Sequence, residues 1–184
     1  MNMENQGFTA IKQKNEQSIN LMNNMSLRLI SASDLSKSTF DNSDFRKIKI
    51  KNSNLSSSNF RKCNMKDAAL TNSNFDQADF CWSNLSKDNF YRTNLSEANL
   101  EFTSLTGTTF NECSLEGANL RWAKIANTKF VSCDLTNSDF SNTDLSSASF
   151  KKCQLNGAKY NINTKLPFSL HTAKNLGMEF IGLQ

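Results

Sequence analysis

The chain holds a single histidine, His171, and no glycine-rich phosphate loop. No His/Cys zinc spacing and no Ser-His-Asp combination can be composed around that histidine, so neither metal-assisted nor triad chemistry has its parts, and no catalytic residue, cofactor or metal is expected. No run of 18 apolar residues occurs, which excludes a helical membrane span. The first residues, MNMENQGFTAIK, lack the apolar core of a secretion signal. Charge of one sign is lacking too. The formal net charge is +4, and between residues 30 and 160 there are 16 Lys/Arg against 14 Asp/Glu. That balance calls for no polyanionic partner, and nucleic acid is not expected. Five cysteines, an odd number, read as reduced thiols of a cytoplasmic protein rather than as a disulfide framework.

What is present is a period. From Ile30 to Tyr160 every fifth residue is apolar, giving 27 positions, of which twelve are Leu and ten Phe. Two residues before each, from Ser33 to Ala158, stands Ser, Ala, Thr or Cys in 24 of 26 cases; Ile48 and Asp88 are the exceptions. On an α-helix a step of five turns about 140° past a full circle, and on a flat strand an odd step alternates faces. Neither element buries all 27 together. The chain must bend once per repeat, always turning the same residue inward, and the product is a stacked coil.

Segments such as SEANL (96–100), EGANL (116–120), TNSDF (136–140) and SNTDL (141–145) resemble the A(D/N)LXX signature of pentapeptide-repeat proteins. The resemblance implies an all-β fold, a right-handed quadrilateral parallel β-helix with 20 residues per coil. Residues 30–160 would then make about 6.5 coils, a rod about 31 Å long at ordinary strand spacing. Residues 1–29 are expected to form an N-terminal cap, helical from about Thr9 to Asn23 on the spacing of its apolar residues. Residues 161–184 are expected to form a C-terminal cap, with Pro167 near a break, Ser169 as N-cap, a helix from Leu170 to Leu176 and Gly177 just past its end. Leu170, Ala173, Leu176, Met178, Phe180 and Ile181 would cover the last coil. Some pentapeptide proteins dimerise through this end, so Phe180 to Leu183 is also a candidate homodimer contact.

A 20-residue coil sorts residues into columns. Phe40, Phe60 and Phe80 should stack inside, as should Phe90, Phe110, Phe130 and Phe150. Cys113, Cys133 and Cys153 share an interior column; their simplest role is small buried filling, although such a thiol ladder could take a soft metal or oxidise. Cys63 lies half a coil away, and Cys81, at an outward position, is expected to be the accessible thiol. Asp88 should lie between Ala68 and Thr108 and hydrogen-bond to backbone amides or to Thr108, distorting the local turn.

Outside, Trp82, Phe102 and Trp122 should form one aromatic column, continued at one end by Lys62, with Arg61, Cys81, Glu101 and Arg121 beside it. Exposed aromatics next to arginines have the composition of a protein-binding hot spot. Trp82, Phe102, Trp122, Arg121, Arg61 and Lys62 are therefore the candidate partner-binding residues. Self-association through this aromatic face, or cover by the chain's own termini, is the competing reading. Arg46, Lys47, Lys49, Lys51, Arg61, Lys62 and Lys66 add a basic N-terminal surface, read as solvated.

The function expected is that of a non-enzymatic protein-interaction scaffold, a bacterial regulator or effector whose partner the sequence does not identify. The resemblance also implies an alternative, protection of DNA gyrase in the manner of quinolone-resistance proteins. Those are strongly acidic rods that mimic duplex DNA, and the positive net charge here is of the wrong sign. An ice-binding face would need an aligned threonine array, but the outward Thr71, Thr106 and Thr136 do not share a column.

Overall fold

Parallel backbone pairing at an offset of 20 residues defines the molecule. In the computed structural model, which describes residues 28–182, each rung of backbone pairs in parallel with the rung 20 residues on. One side of the coil is a seven-stranded sheet of three-residue strands in chain order: β1 (Leu29–Ser31), β2 (Lys49–Lys51), β3 (Ala69–Thr71), β4 (Asn89–Tyr91), β5 (Thr109–Asn111), β6 (Lys129–Val131) and β7 (Ser149–Lys151). Its register is in phase throughout, with Ile30 opposite Ile50 and Phe130 opposite Phe150. The other three sides are ladders of single bridges, for example Asp34, Asn54, Asn74 and Asn94 on one and Asn59, Asp79, Asn99 and Asn119 on another. The fold is a four-sided parallel β-solenoid of about eight turns.

The five-residue unit has a physical reason at every position. The central Leu or Phe points inward, and all those from Ile30 to Leu145 are buried. Its carbonyl accepts from the amide three residues on, as Leu55 does from Ser58 at 3.3 Å, which closes the corner turn. The residue two past the centre sits in the left-handed region, with φ between 49° and 64° for 22 non-glycine residues. The Asx position just before the centre caps the following corner. Asp79 Oδ1 accepts from the Cys81 amide at 2.9 Å, and Asn119 Oδ1 accepts from that of Arg121 at 3.1 Å. The same amides form vertical ladders, Asn74 Nδ2 donating to Asn54 Oδ1 at 3.2 Å and Asn94 Nδ2 to Asn74 Oδ1 at 3.0 Å. The small inward slot is polar for a reason as well: Ser58 Oγ donates to Leu35 O at 2.8 Å and Thr128 Oγ1 to Leu105 O at 2.7 Å, across rungs.

The interior columns stand as the period requires. Phe40, Phe60 and Phe80 stack at 4.8 and 5.0 Å between ring centroids, and Phe90, Phe110, Phe130 and Phe150 at 4.7, 5.2 and 5.0 Å. Ile48 fills its small-residue slot without exposure.

Coil pairing does not end at Tyr160. Asp144 bridges Lys165, an offset of 21, so one inserted residue hides the continuation. The offset of 20 then returns: β8 (Lys159–Tyr160) pairs in parallel with β9 (Glu179–Phe180). Between them α1 (Leu170–Asn175) takes the place of a rung beyond β7. Ser169 caps it by accepting from the Thr172 amide, and Gly177 ends it at φ +75°, with the Met178 amide donating to Ala173 O and the Gly177 amide to Lys174 O. Of the six residues expected to cover the last coil, Ala173 and Met178 are buried and Ile181 partly so, whereas Leu170, Leu176 and Phe180 remain exposed. Leu166 and Phe168 pack on the core in their stead, Phe168 against Phe150 at 6.3 Å between ring centroids. The N-terminal helix expected near Thr9 to Asn23 lies outside the described residues.

Gly177 is the tight point of this end. A Cβ there would lie 2.5 Å from Asn156 Oδ1 and 3.2 Å from Asn156 Cα, and its φ is left-handed. Gly177→Ala should cost about 1–2 kcal/mol and loosen β9. The check is faster amide exchange at Glu179, whose N–H donates to Ala158 O at 2.8 Å, while β3–β5 amides stay protected.

Candidate interaction surface

Trp82, Phe102 and Trp122 fall on one corner of the coil, at consecutive rungs, each in the left-handed turn position with φ of 64°, 57° and 58°. For L-residues this region costs about 1–2 kcal/mol, and Asn, Asp or Gly carry it best. Other turns use Asn42, Asn72, Asn127 and Gly117 at the same position, and also Gln77, Lys87 and Glu97. Three bulky aromatics in a row at strained positions are therefore not a requirement of the turn.

Their rings are parallel. Trp82 and Phe102 stack at 4.3 Å with 8° between planes, and Phe102 and Trp122 at 6.2 Å, again 8°. The faces cover one another, so the column presents ring edges and two outer faces to solvent rather than a flat platform. Trp82 is 56% exposed and Trp122 47%. Both tryptophans of the chain thus report on this corner alone.

Charged residues line the same corner. Arg61 pairs with Asp79 at 2.9 Å, and Asp41 accepts from the Arg61 amide at 3.1 Å. Lys62 is exposed one rung before Trp82. Arg121 lies beside Trp122 with its Nε buried and no acceptor, an orphaned donor on a partly exposed guanidinium. All six candidate residues therefore share one edge of the rod. The remaining basic residues divide: Arg46, Lys47 and Lys66 sit on the next corner, Arg46 paired with Asp44, and Lys49 and Lys51 flank Ile50 in β2.

Two buried sites differ from expectation. Cys81 is only 6% exposed. Its short side chain lies between the longer Arg61 and Glu101 on the rungs either side, and burial pushes its thiol up. Cys153, at the end of its column, is the half-exposed thiol instead. Along that column the thiols donate to backbone carbonyls, Cys113 to Asn111 O at 3.3 Å, Cys133 to Phe110 O at 3.4 Å and Cys153 to Phe130 O at 3.4 Å. The neighbouring Cys133 holds Cys113 below the usual range, Cys113 holds Cys133 above it at about 11, and Cys133 raises Cys153. Cys63, buried alone, is pushed up to about 12. Among the described residues no group of three or more His, Cys, Asp or Glu is placed to hold a metal. Asp88 Oδ1 accepts from the Ala68 amide at 2.8 Å, but Thr108 donates to Leu85 O instead, and Asp88 Oδ2 has no partner. The turn is undistorted, since Asp88 Oδ1 takes the amide that Ser83 Oγ takes from Cys63 one side earlier. His171 is exposed on α1, its Nε2 3.1 Å from Asn175 Nδ2.

With this geometry in hand, comparison with known proteins places the chain. The family model for pentapeptide repeats (8 copies) matches residues 30–67, 49–86 and 63–99, and that for the pentapeptide repeat region matches 103–165. The chain belongs to the pentapeptide-repeat proteins. Among solved structures it is similar to alr5209, a pentapeptide repeat protein from Nostoc PCC 7120, at 19% identity over 55% of this chain and 84% of that one, with a TM-score of 0.52. It is also similar to AT2G44920 from the Arabidopsis thaliana thylakoid lumen (22% identity, 54% of this chain and 66% of that one, TM-score 0.41). A third is QnrB1, a plasmid-mediated fluoroquinolone resistance protein (18% identity, 89% and 90%, TM-score 0.41). No curated protein sequence matches. Among the described residues no helix is long and apolar enough to cross a membrane.

Proposed function

We propose that the protein is a non-enzymatic interaction scaffold that docks a protein through the Trp82–Phe102–Trp122 corner. The observation that carries this is the exposed aromatic stack: the same turn position takes Lys87, Glu97, Gln77 or Asn elsewhere in the rod, so three large rings in a row at the surface are not required by the fold, and their apolar area favours contacts outside the chain. The partly exposed Arg121 and Arg61 and the exposed Lys62 supply polar contacts around the aromatic centre. The rod itself is a rigid mount, because the column is held by rung-to-rung hydrogen bonds such as Trp82 N–H to Glu101 O at 3.2 Å. The free thiols suit a reducing compartment, and a cytoplasmic setting follows. A gyrase-protecting role would need a continuous acidic face, whereas this corner mixes Arg61, Lys62 and Arg121 with Asp79 and Glu101.

The test uses the two tryptophans as their own probe. Docking should blue-shift the emission, since no other indole contributes. Trp82→Ala with Trp122→Ala should leave the circular dichroism spectrum unchanged and the melting close to that of wild type, since Ala carries the same left-handed backbone cost and only exposed ring contacts are lost, and abolish capture of a partner by the immobilised chain. Capture that survives the double substitution removes this surface from consideration.

A further inference from the structure

The order of charges along the aromatic corner is nearly its own complement when reversed. Taken rung by rung, the residues flanking the corner are Arg61 and Lys62, then Asp79 with Trp82, then Glu101 with Phe102, then Arg121 and Lys124 with Trp122, and last Asp139 and Asp144. Read as signs, this is plus, minus, minus, plus, minus. Reversed about Phe102, the basic rung of Lys62 meets the acidic rung of Asp139 and Asp144, and the acidic rung of Asp79 meets the basic rung of Arg121 and Lys124. Only Glu101 meets its like.

The geometry points to a second copy of this chain as the protein that the corner docks, in an antiparallel, side-by-side dimer whose two-fold axis passes near Phe102. This inference rests on the docking role proposed for the same corner. In such an isologous contact Trp82 of one copy packs against Trp122 of the other. Parallel stacking at 8° per step keeps the column nearly straight, so two such columns meet along their whole length as edges rather than at a point. The register is specified by charge. Moving the axis half a rung towards the N-terminus sets Arg61 and Lys62 against Arg121 and Lys124; half a rung the other way sets Asp79 against Asp139 and Asp144.

Several of these groups are free for the purpose. The ion pairs among the described residues are Arg46–Asp44, Arg61–Asp79, Arg92–Glu112 and Lys165–Asp144, which leaves Lys62, Arg121, Lys124 and Asp139 without one. Arg121, which makes no ion pair in its own chain, lies on the rung that faces the Asp79 rung of the other copy. The strip spans about 19 Å over five rungs, at the small end of specific interfaces, so the dimer dissociates on dilution and weakens with salt.

The experiment is a charge-swap pairing read by light scattering across a concentration series. Variant one is Lys62→Glu; variant two is Asp139→Lys with Asp144→Lys. Each swap has precedent in the fold, since Glu97 and Glu112 occupy the left-handed turn position and Lys159 and Lys124 the two ladder columns. Wild type should rise from monomer to dimer mass with concentration. Each variant alone should associate at least about tenfold more weakly, with its folded circular dichroism spectrum retained, and an equimolar mixture should regain the dimer. Glu101→Gln should tighten it. A wild type that stays monomeric throughout, or a dimer indifferent to the swaps, overturns the second-copy assignment. If that wild-type monomer still captures another protein and the Trp82→Ala, Trp122→Ala variant does not, the docking role stands without it; if neither association nor capture responds to the tryptophans, both fall.

Discussion

Phe60→Ala should cost about 3–5 kcal/mol, the largest loss expected of any single truncation in this rod. Phe60 has no exposure, and its ring meets four others: Phe40 at 4.8 Å and Phe80 at 5.0 Å above and below, Phe45 at 6.3 Å and Phe75 at 5.8 Å from neighbouring sides. Truncation removes the transfer energy of the ring and leaves a cavity that cannot collapse, since rung spacing is held by backbone hydrogen bonds on all four sides. In a solenoid each coil rests only on its neighbours, so the damage spreads to the coils before and after. Phe150→Ala offers the contrast. Phe150 is partly exposed near the C-terminal end and meets Phe168 on one side, so its truncation should cost clearly less. Denaturant unfolding of the two variants against wild type measures both, and equal losses would mean that column position does not govern stability here.

The architecture was legible because one residue type recurs at one interval. The five-residue step forced a bend per repeat, and the 20-residue coil implied by the resemblance to pentapeptide-repeat proteins then placed Phe60 over Phe40 and Trp82 beside Phe102. Legibility failed where a single local event broke the count. One inserted residue before Lys165 hid the return of β9 to β8, although Phe180 stands 20 residues after Tyr160 and was open to the same arithmetic. Cys81 failed differently. Its column position was read correctly as outward, but outward is not exposed when the neighbours on adjacent rungs are Arg61 and Glu101 and the rungs are one strand spacing apart. The aromatic column was located from spacing, whereas the stacking of its rings and the strain at its turns depend on side-chain rotamers and backbone angles that no interval reports. What the corner does with that strain belongs to the site and not to the fold, as it does for any architecture that hosts many functions.

Replacing Asp88 should stabilise the protein, and the gain should grow with pH. Its side chain is 1% exposed, Oδ1 accepts one amide and Oδ2 has no partner, and burial holds the carboxyl well above its ordinary range. In the native state the group therefore keeps its proton over a pH range where the unfolded chain, with an Asp near pH 3.9, has lost it. The native state then binds more protons than the unfolded one, so stability falls as pH rises, by about 1.4 kcal/mol per pH unit, from near pH 4 up to the raised native value, and is flat beyond. Asp34, Asp44 and Asp144, held below the ordinary range by hydrogen bonds from Ser36, Arg46 and Ser146, act in the opposite direction at more acidic pH and are common to both proteins in the comparison. Asp88→Ser removes the titrating group and restores the arrangement of Ser58 and Ser83, whose hydroxyls accept an amide from the rung before and donate to a carbonyl there. Below pH 4 the variant should already be more stable by about 1–3 kcal/mol, the cost of one unsatisfied buried polar atom. Urea melts of both proteins at several values between pH 4 and 8 should show the gap widening with pH until wild type reaches its native-state titration. A gap that stays constant would mean that Asp88 is ionised in the folded protein, with its charge compensated by a partner at Oδ2.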